Sequence, residues 1–457
     1  MKPIVWAAIL LDCYVVHAIA KYSGPHGTIN TSSGAVRGHK APMAPLVTAY
    51  LGIPYARPPV GPLRFAPPQH YHSSGHEIFG DSLGGKPKGI MLSVPGGGYV
   101  AGSSNSKTYD GARLADQGDV IVVSFNYRLN ILGFPGAPGT QNLGLLDQRF
   151  AVEWVQRNIA KFGGDPLRIT LAGESAGGGS VDYYSYAWAD HPIVAGLISQ
   201  SGTISLVQPL SKETAAENWF NTSRSLGCGG KRDETDQVMD CMRAKNVTAI
   251  MEAISQASID SVLFTPFVDE LFVFDDYAIR SAAGKFIRKP LLIGHNDFEA
   301  SLFDMIQRLR NITLPPSFWD DFDNTRFFCP VASRAAVNVE YDLPTWRYRY
   351  FGDWPDMRLS ETIYTGAYHG SDVNILFDTI PHESGIPAST RKEKAFGKYM
   401  RGAWAAFVSN PEHGLRDYGW PDYNYNTQSL VRLAYMNTTG LDVAFPEAYD
   451  GLCGATT

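Results

Sequence analysis

Beyond its first twenty residues the chain has no apolar run approaching the roughly 20 residues of a membrane-spanning helix, so stable membrane insertion is not expected. It has no block of like charge, and a net charge of −6 supplies no basic footprint for nucleic acid. It has no CxxC pair, so its five cysteines do not read as a zinc site, and no metal or organic cofactor is expected. It also lacks internal repeats and low-complexity linkers, so residues 21–457 are read as a single domain. With 44% hydrophobic and 18% charged residues the chain can bury a large core. The partner expected on these grounds is a small or neutral molecule rather than a polyanion.

The first twenty residues differ from the rest. Lys2 precedes an apolar stretch from Ile4 to Val16, followed by Ala18-Ile19-Ala20. A basic start, a short apolar core and small residues at the cut describe a secretory signal over residues 1–20, although Asp12 is a costly residue inside such a core. Cys13 falls inside this segment, leaving Cys228, Cys241, Cys329 and Cys453. Four cysteines allow three connectivities. Cys228 and Cys241 are near enough in sequence to close a small loop, which favours Cys228–Cys241 and Cys329–Cys453. Sequons at Asn30, Asn221, Asn246, Asn311 and Asn437 agree with a glycosylated extracellular chain.

Short apolar runs alternate with helical patterns. Residues 89–94, 120–124, 168–172, 196–200, 290–294 and 345–351 read as strands by length and by β-branched or aromatic content. Residues 145–162 carry Trp154, Val155, Ile159 and Phe162 at helical spacing and stop at Gly163-Gly164. Residues 396–409 repeat the pattern and end before Pro411. Alternating strands and helices predict an α/β fold with a mostly parallel central sheet covered on both faces. The proline-rich stretch from Pro54 to Pro68 is expected to lie over it as extended chain.

The strongest local signal is Gly173-Glu174-Ser175-Ala176-Gly177, entered directly from a strand and followed by small residues. A serine between glycines on a sharp strand-to-helix turn is a nucleophile elbow, which lifts the hydroxyl clear of the sheet at a helix N-terminus. Such a hydroxyl needs a base, and the base needs an orienting acid, in the chain order Ser, acid, His. The stretch 291–294 ends a buried strand and leads to Asp297 and Glu299, which compete for the acid. Of eleven histidines, His369 has the right place in the order and glycine flanks. Backbone N–H groups for a developing oxyanion come from Ala176 and from the loop Pro95-Gly96-Gly97-Gly98.

Taken together these segments resemble the type-B carboxylesterase/lipase family, which includes the cholinesterases, from about Gly27 to Cys453. The carriers are residues 50–61 (YLGIPYARPPVG), 142–148 (NLGLLDQ), 162–166 (FGGDP), 294–301 and 369–372. The resemblance implies an α/β-hydrolase fold and hydrolysis of small-molecule esters through an acyl-enzyme. It implies Ser175, Glu299 rather than Asp297, and His369 as the catalytic triad. Gly97, Gly98 and Ala176 are the implied oxyanion donors, and an Arg128–Asp165 ion pair is the implied brace of the elbow. The family also holds adhesion proteins that keep the fold without the triad; here all three positions are filled.

One departure stands out. The family's SEDCLxLNVW-like strand is absent, since the chain passes from His76-Glu77-Ile78-Phe79 through Ser82-Leu83-Gly84-Gly85 to the strand at Gly89. With it go a strand segment, a disulfide, the glutamate expected to pair with Arg64 and the aromatic that cholinesterases use for choline. Pro95 stands where the family often has His or Tyr. Losing a strand is expected to expose neighbouring backbone and apolar faces, a large cost against marginal stability, leaving an unstable or inactive chain as the alternative.

Overall fold

The apolar runs pair into one sheet because each is buried on both faces, the condition under which parallel strands are stable. The computed structural model describes residues 14–21, 27–71, 86–257, 263–380 and 385–453. Lys2, Asp12 and Cys13 of the presumed signal, and the junction at 76–85, lie outside the described residues. Among the described residues thirteen strands form in chain order: β1 (Val15–Lys21), β2 (Thr28–Thr31), β3 (Gly34–Arg37), β4 (His39–Ala41), β5 (Ala44–Pro54), β6 (Lys88–Val94), β7 (Ile121–Phe125), β8 (Gly164–Glu174), β9 (Gly196–Gln200), β10 (Leu291–Asn296), β11 (Thr345–Tyr350), β12 (Leu430–Leu433) and β13 (Val443–Ala444). Eleven make the main sheet in the order β13-β12-β11-β10-β9-β8-β6-β7-β1-β5-β4, while β2 and β3 pair as a separate hairpin. From β7 through β12 the pairing is parallel, and both flanks are antiparallel.

The period of two sorts the strand residues into two cores. Ile90, Leu92 and Val94 of β6 face the helix Leu143–Asn158 with its Trp154 and Val155, whereas Met91 faces the helix Arg391–Ser409 with its Met400, Trp404 and Phe407. Thr390 caps the second helix with a capping box, its hydroxyl accepting from the Glu393 N–H while the Glu393 carboxylate accepts from the Thr390 N–H. A third cluster, with Trp219, Phe220 and Met242, surrounds the Cys228–Cys241 disulfide, and Cys329 pairs with Cys453.

The sheet has no gap where a strand is missing from the sequence. β1 lies between β7 and β5, antiparallel to both. Val16, Ala18 and Ala20 join one core and Ile19 the other, so the small apolar residues read as a signal also satisfy a central strand. Just before β1, the Tyr14 hydroxyl donates to the Asp147 carboxylate at 3.0 Å. The exposed neighbours expected from the missing stretch are therefore covered by the chain's own N-terminal segment. Arg64, left without a family glutamate, donates to the main-chain carbonyls of Met242 and Lys245 at the end of the helix Thr235–Ala244. The proline-rich stretch is only partly extended cover: β5 runs up to Pro54 inside the sheet, and the remainder is irregular apart from a short turn at Gly61–Leu63.

Candidate active site

β8 delivers the serine. Ser175 follows its last residue with φ 58° and ψ −125°, a strained conformation for a residue with a side chain, and the helix Ala176–Ala187 starts immediately after it. The turn closes only because its flanks are bare. A Cβ on Gly173 would lie 2.3 Å from the Gly177 carbonyl, and one on Gly177 would lie 2.1 Å from the Val94 oxygen. The Ser175 N–H donates to the Gln200 carbonyl at 2.9 Å, tying the elbow to β9.

β10 and the loop before the helix Ser371–Phe377 bring the partners. Ser175 Oγ lies 2.8 Å from His369 Nε2, and His369 Nδ1 lies 2.6 Å from Glu299 Oε2. The other Glu299 oxygen accepts from the Asn296 N–H at 2.7 Å, so the carboxylate is held at both ends and fully buried. Phe303 and Phe327 flank the imidazole at 5.2 and 5.1 Å between ring centres. Asp297 turns the other way and pairs with Arg349 at 2.7 Å, so of the two acids it is Glu299 that meets His369.

Gly97 and Gly98 face the serine from the loop after β6. Both have positive φ, 119° and 63°, and a Cβ on Gly97 would lie 2.2 Å from the Ala101 oxygen. Neither N–H donates to a partner among the described residues, and Ala176, as the first helical residue, has no intrahelical acceptor. Gly97 and Gly98 line the same cavity as Ser175, and Ala176 follows the serine directly. Pro95 contributes a carbonyl that accepts from the Tyr127 hydroxyl at 3.0 Å.

The implied Arg128–Asp165 brace does not form. Arg128 makes a bidentate, fully buried pair with Asp147, both contacts 2.8 Å, while Asp165 pairs with Arg168 at 2.8 Å. The reason is topological. Arg128 follows the C-terminal end of β7 and Asp165 opens β8 at its N-terminal end, so parallel strands place them at opposite edges of the sheet. Asp147 was visible in the sequence, but nothing local marked it as the partner.

Sequence reasoning also left Glu174 and Asp372 without a role. Glu174 Oε1 lies 3.4 Å from His369 Nε2, on the serine side of the ring. Burial pushes its carboxyl up to about 7, opposed by His369 and supported by Asp372 and Glu299. Asp372 accepts from Gln200 Nε2 at 2.8 Å, and burial with Glu299 nearby raises it to about 6. Burial alone would lower His369, but Glu299 and then Glu174 outweigh it and raise the imidazolium to about 9. The imidazole therefore sits among acids that favour its charged form.

The site floors a cavity of about 770 Å³. Leu206, Val207, Leu302, Phe303, Phe322 and Val373 make its walls mostly apolar. Such a space admits a small organic molecule, with the serine, imidazole and free N–H groups at one end.

An elbow serine at the carboxyl end of a parallel sheet, joined to His and Glu, defines an α/β-hydrolase. The chain belongs to the carboxylesterase family, whose model matches residues 25–79 and 82–326, and is a carboxylic ester hydrolase. The break in that match falls at the junction where the family strand is missing. The chain is 34% identical over 437 residues to a chlorogenic acid esterase of Aspergillus niger, covering 84% of this chain and 83% of that protein. It is 31% identical over 493 residues to secreted lipase 5 of Gibberella zeae, covering 90% of each. Mouse cholinesterase is 34% identical over 328 residues, 60% of this chain and 54% of that one. A solved PNB esterase shares the fold, with TM-score 0.76 at 24% identity over 94% of this chain and all of that one.

Proposed function

We propose that this chain is a secreted serine esterase that works through an acyl-enzyme. His369 takes the Ser175 proton as Oγ attacks the ester carbonyl. The N–H groups of Gly97, Gly98 and Ala176 receive the oxyanion, where preorganised donors act with most effect. Glu299 fixes the tautomer that points Nε2 at the serine and offsets the imidazolium charge. The alcohol leaves with the proton from His369, and water activated by the same ring releases the acid. The observation that carries this reading is the continuous line Glu299–His369–Ser175, with contacts of 2.6 and 2.8 Å at the floor of the cavity. Purified chain is expected to hydrolyse p-nitrophenyl butyrate, and Ser175→Ala to reduce kcat by roughly 10⁶-fold. Wild-type turnover that survives this substitution would overturn the assignment.

The two disulfides and the exposed sequons at Asn221, Asn246 and Asn311 support export. The sequon at Asn437 is a poorer acceptor, because its amide already donates to the Asp353 carbonyl at 2.7 Å. No helix among the described residues is long and apolar enough to cross a membrane.

A further inference from the structure

Among the described residues, Arg326 is the one cationic side chain, apart from His369, that lines the cavity above Ser175. It makes no ion pair with any described residue. Among the described residues its side chain makes one hydrogen bond, a long one, Nη1 donating to the Leu206 carbonyl at 3.4 Å. A guanidinium carries five N–H donors in a fixed fork suited to a carboxylate. Three fully or largely buried arginines in the fold's interior are neutralised, Arg128 by Asp147, Arg334 by Asp182 and Arg349 by Asp297, whereas half-buried Arg64, like Arg326, meets only main-chain carbonyls among the described residues.

The local backbone explains how it comes to be there. Asn324–Phe328 is a single π-helical turn between the helices Pro316–Asp323 and Cys329–Glu340. A π-turn inserts one residue into a helix and rotates the side chains that follow, and such turns recur at functional sites. Here Phe327 and Phe328 are buried, Phe327 against the His369 ring, while Arg326 stays half-exposed on the cavity wall. Its neighbours on the cavity wall are largely apolar, and the acid that lines the cavity among the described residues, Glu174, lies beside His369. The acids of the site, Glu174 and Glu299, are held at the floor around His369.

We infer that Arg326 selects esters carrying a second, anionic group: half-esters of dicarboxylic acids, or esters whose alcohol part bears a carboxylate. This rests on the esterase reading for the reaction and adds the substrate class. The ester occupies the Ser175 end, apolar substrate atoms line the walls, and the remote carboxylate meets the guanidinium.

The test compares p-nitrophenyl butyrate with the p-nitrophenyl half-esters of succinate, glutarate and adipate. An alcohol-side pair, 3-acetoxybenzoate against 3-acetoxytoluene, is measured alongside. Wild type, Arg326→Met and Arg326→Lys are measured for kcat/KM. Wild type is expected to favour the anionic member of at least one pair. R326M should reduce the anionic-to-neutral ratio by roughly ten- to hundredfold, the factor a charge-assisted hydrogen bond carries, with R326K between. Added salt should shrink the wild-type ratio. A ratio that R326M leaves unmoved in both pairs, or an equal loss on both members, overturns the inference. Binding of the same compounds to S175A, followed by calorimetry with and without R326M, reads the preference independently of turnover. Absent Ser175-dependent hydrolysis with a retained Arg326-dependent binding preference would defeat the esterase mechanism alone, and the reverse pattern would defeat this inference alone.

Discussion

At the scale of single residues, two neighbouring acids have opposite fates. Glu299 is buried against His369 while Asp297 is paired with Arg349, so the two should be separable by isosteric substitution. Glu299→Gln removes the charge that orients the imidazole, and kcat is expected to fall by roughly 10³–10⁴-fold. Asp297→Asn should cost less than about tenfold, since it breaks only a partly exposed pair. Steady-state kinetics on one neutral ester decides this, and equal losses would contradict the geometry. Glu174 gives a pH prediction. The imidazole acts as a base only when neutral, so kcat/KM should rise as pH passes through a His369 value raised to about 9 by Glu299 and Glu174. Glu174→Gln removes one of the negative charges favouring the imidazolium, so the acid limb should move to lower pH. A limb that stays put or moves upward would show that Glu174 does not act on the ring. Of these residues, Ser175 and His369 were legible from motif and chain order. Glu174 was not, because its role depends on a 3.4 Å approach that no spacing announces.

At the scale of elements, the strands with strong periodicity were legible and the N-terminal one was not. The predicted 168–172 is the core of β8, which extends to Gly164–Glu174, and the predicted helix 145–162 is the helix Leu143–Asn158 with a short turn after it. β1 escaped because a short run of Val, Ala and Ile reads equally as the tail of a signal and as a strand buried on both faces. Its place in the sheet depends on pairing with β5 and β7, far away in sequence. The same long-range logic defeated Arg128–Asp165, where sequence neighbourhood said nothing about opposite sheet edges. The seated β1 carries a prediction. A cut after Ala20 removes it, and full burial of Val16 and most of Ile19 is worth roughly 1.5–3 kcal/mol each against a total stability of about 5–15 kcal/mol. A chain starting at Lys21 is expected to melt well below the full chain and to bind a hydrophobic dye. Identical melting curves would mean that β1 does not hold the sheet together.

At the scale of the whole molecule, the two disulfides constrain very different lengths of chain. Cys228–Cys241 spans 13 residues and staples a peripheral cluster, whereas Cys329–Cys453 spans 124 and ties the C-terminal segment to the helix Cys329–Glu340. In the chain-entropy account the short loop is worth about 3 kcal/mol and the long one about 5 kcal/mol. Cys453→Ser should therefore lower Tm more than Cys241→Ser, and calorimetry of the two variants checks the order. The long bridge works beside the buried pair of Arg347 with Asp450, so its loss should also loosen the end of the sheet at β11. The proposed catalytic parts lie elsewhere, just after β8, on the loop after β6 and on the segments that follow β10 and precede the helix Ser371–Phe377.

The central claim is that Ser175 carries the acyl group during ester hydrolysis. Brief mixing of the purified chain with excess p-nitrophenyl acetate, an acid quench and peptide mass analysis tests it most directly. One acetyl group on the peptide containing Ser175, absent after H369A substitution, is the predicted result. Steady turnover with no acyl group trapped on Ser175, or with the label on another residue, would contradict the account.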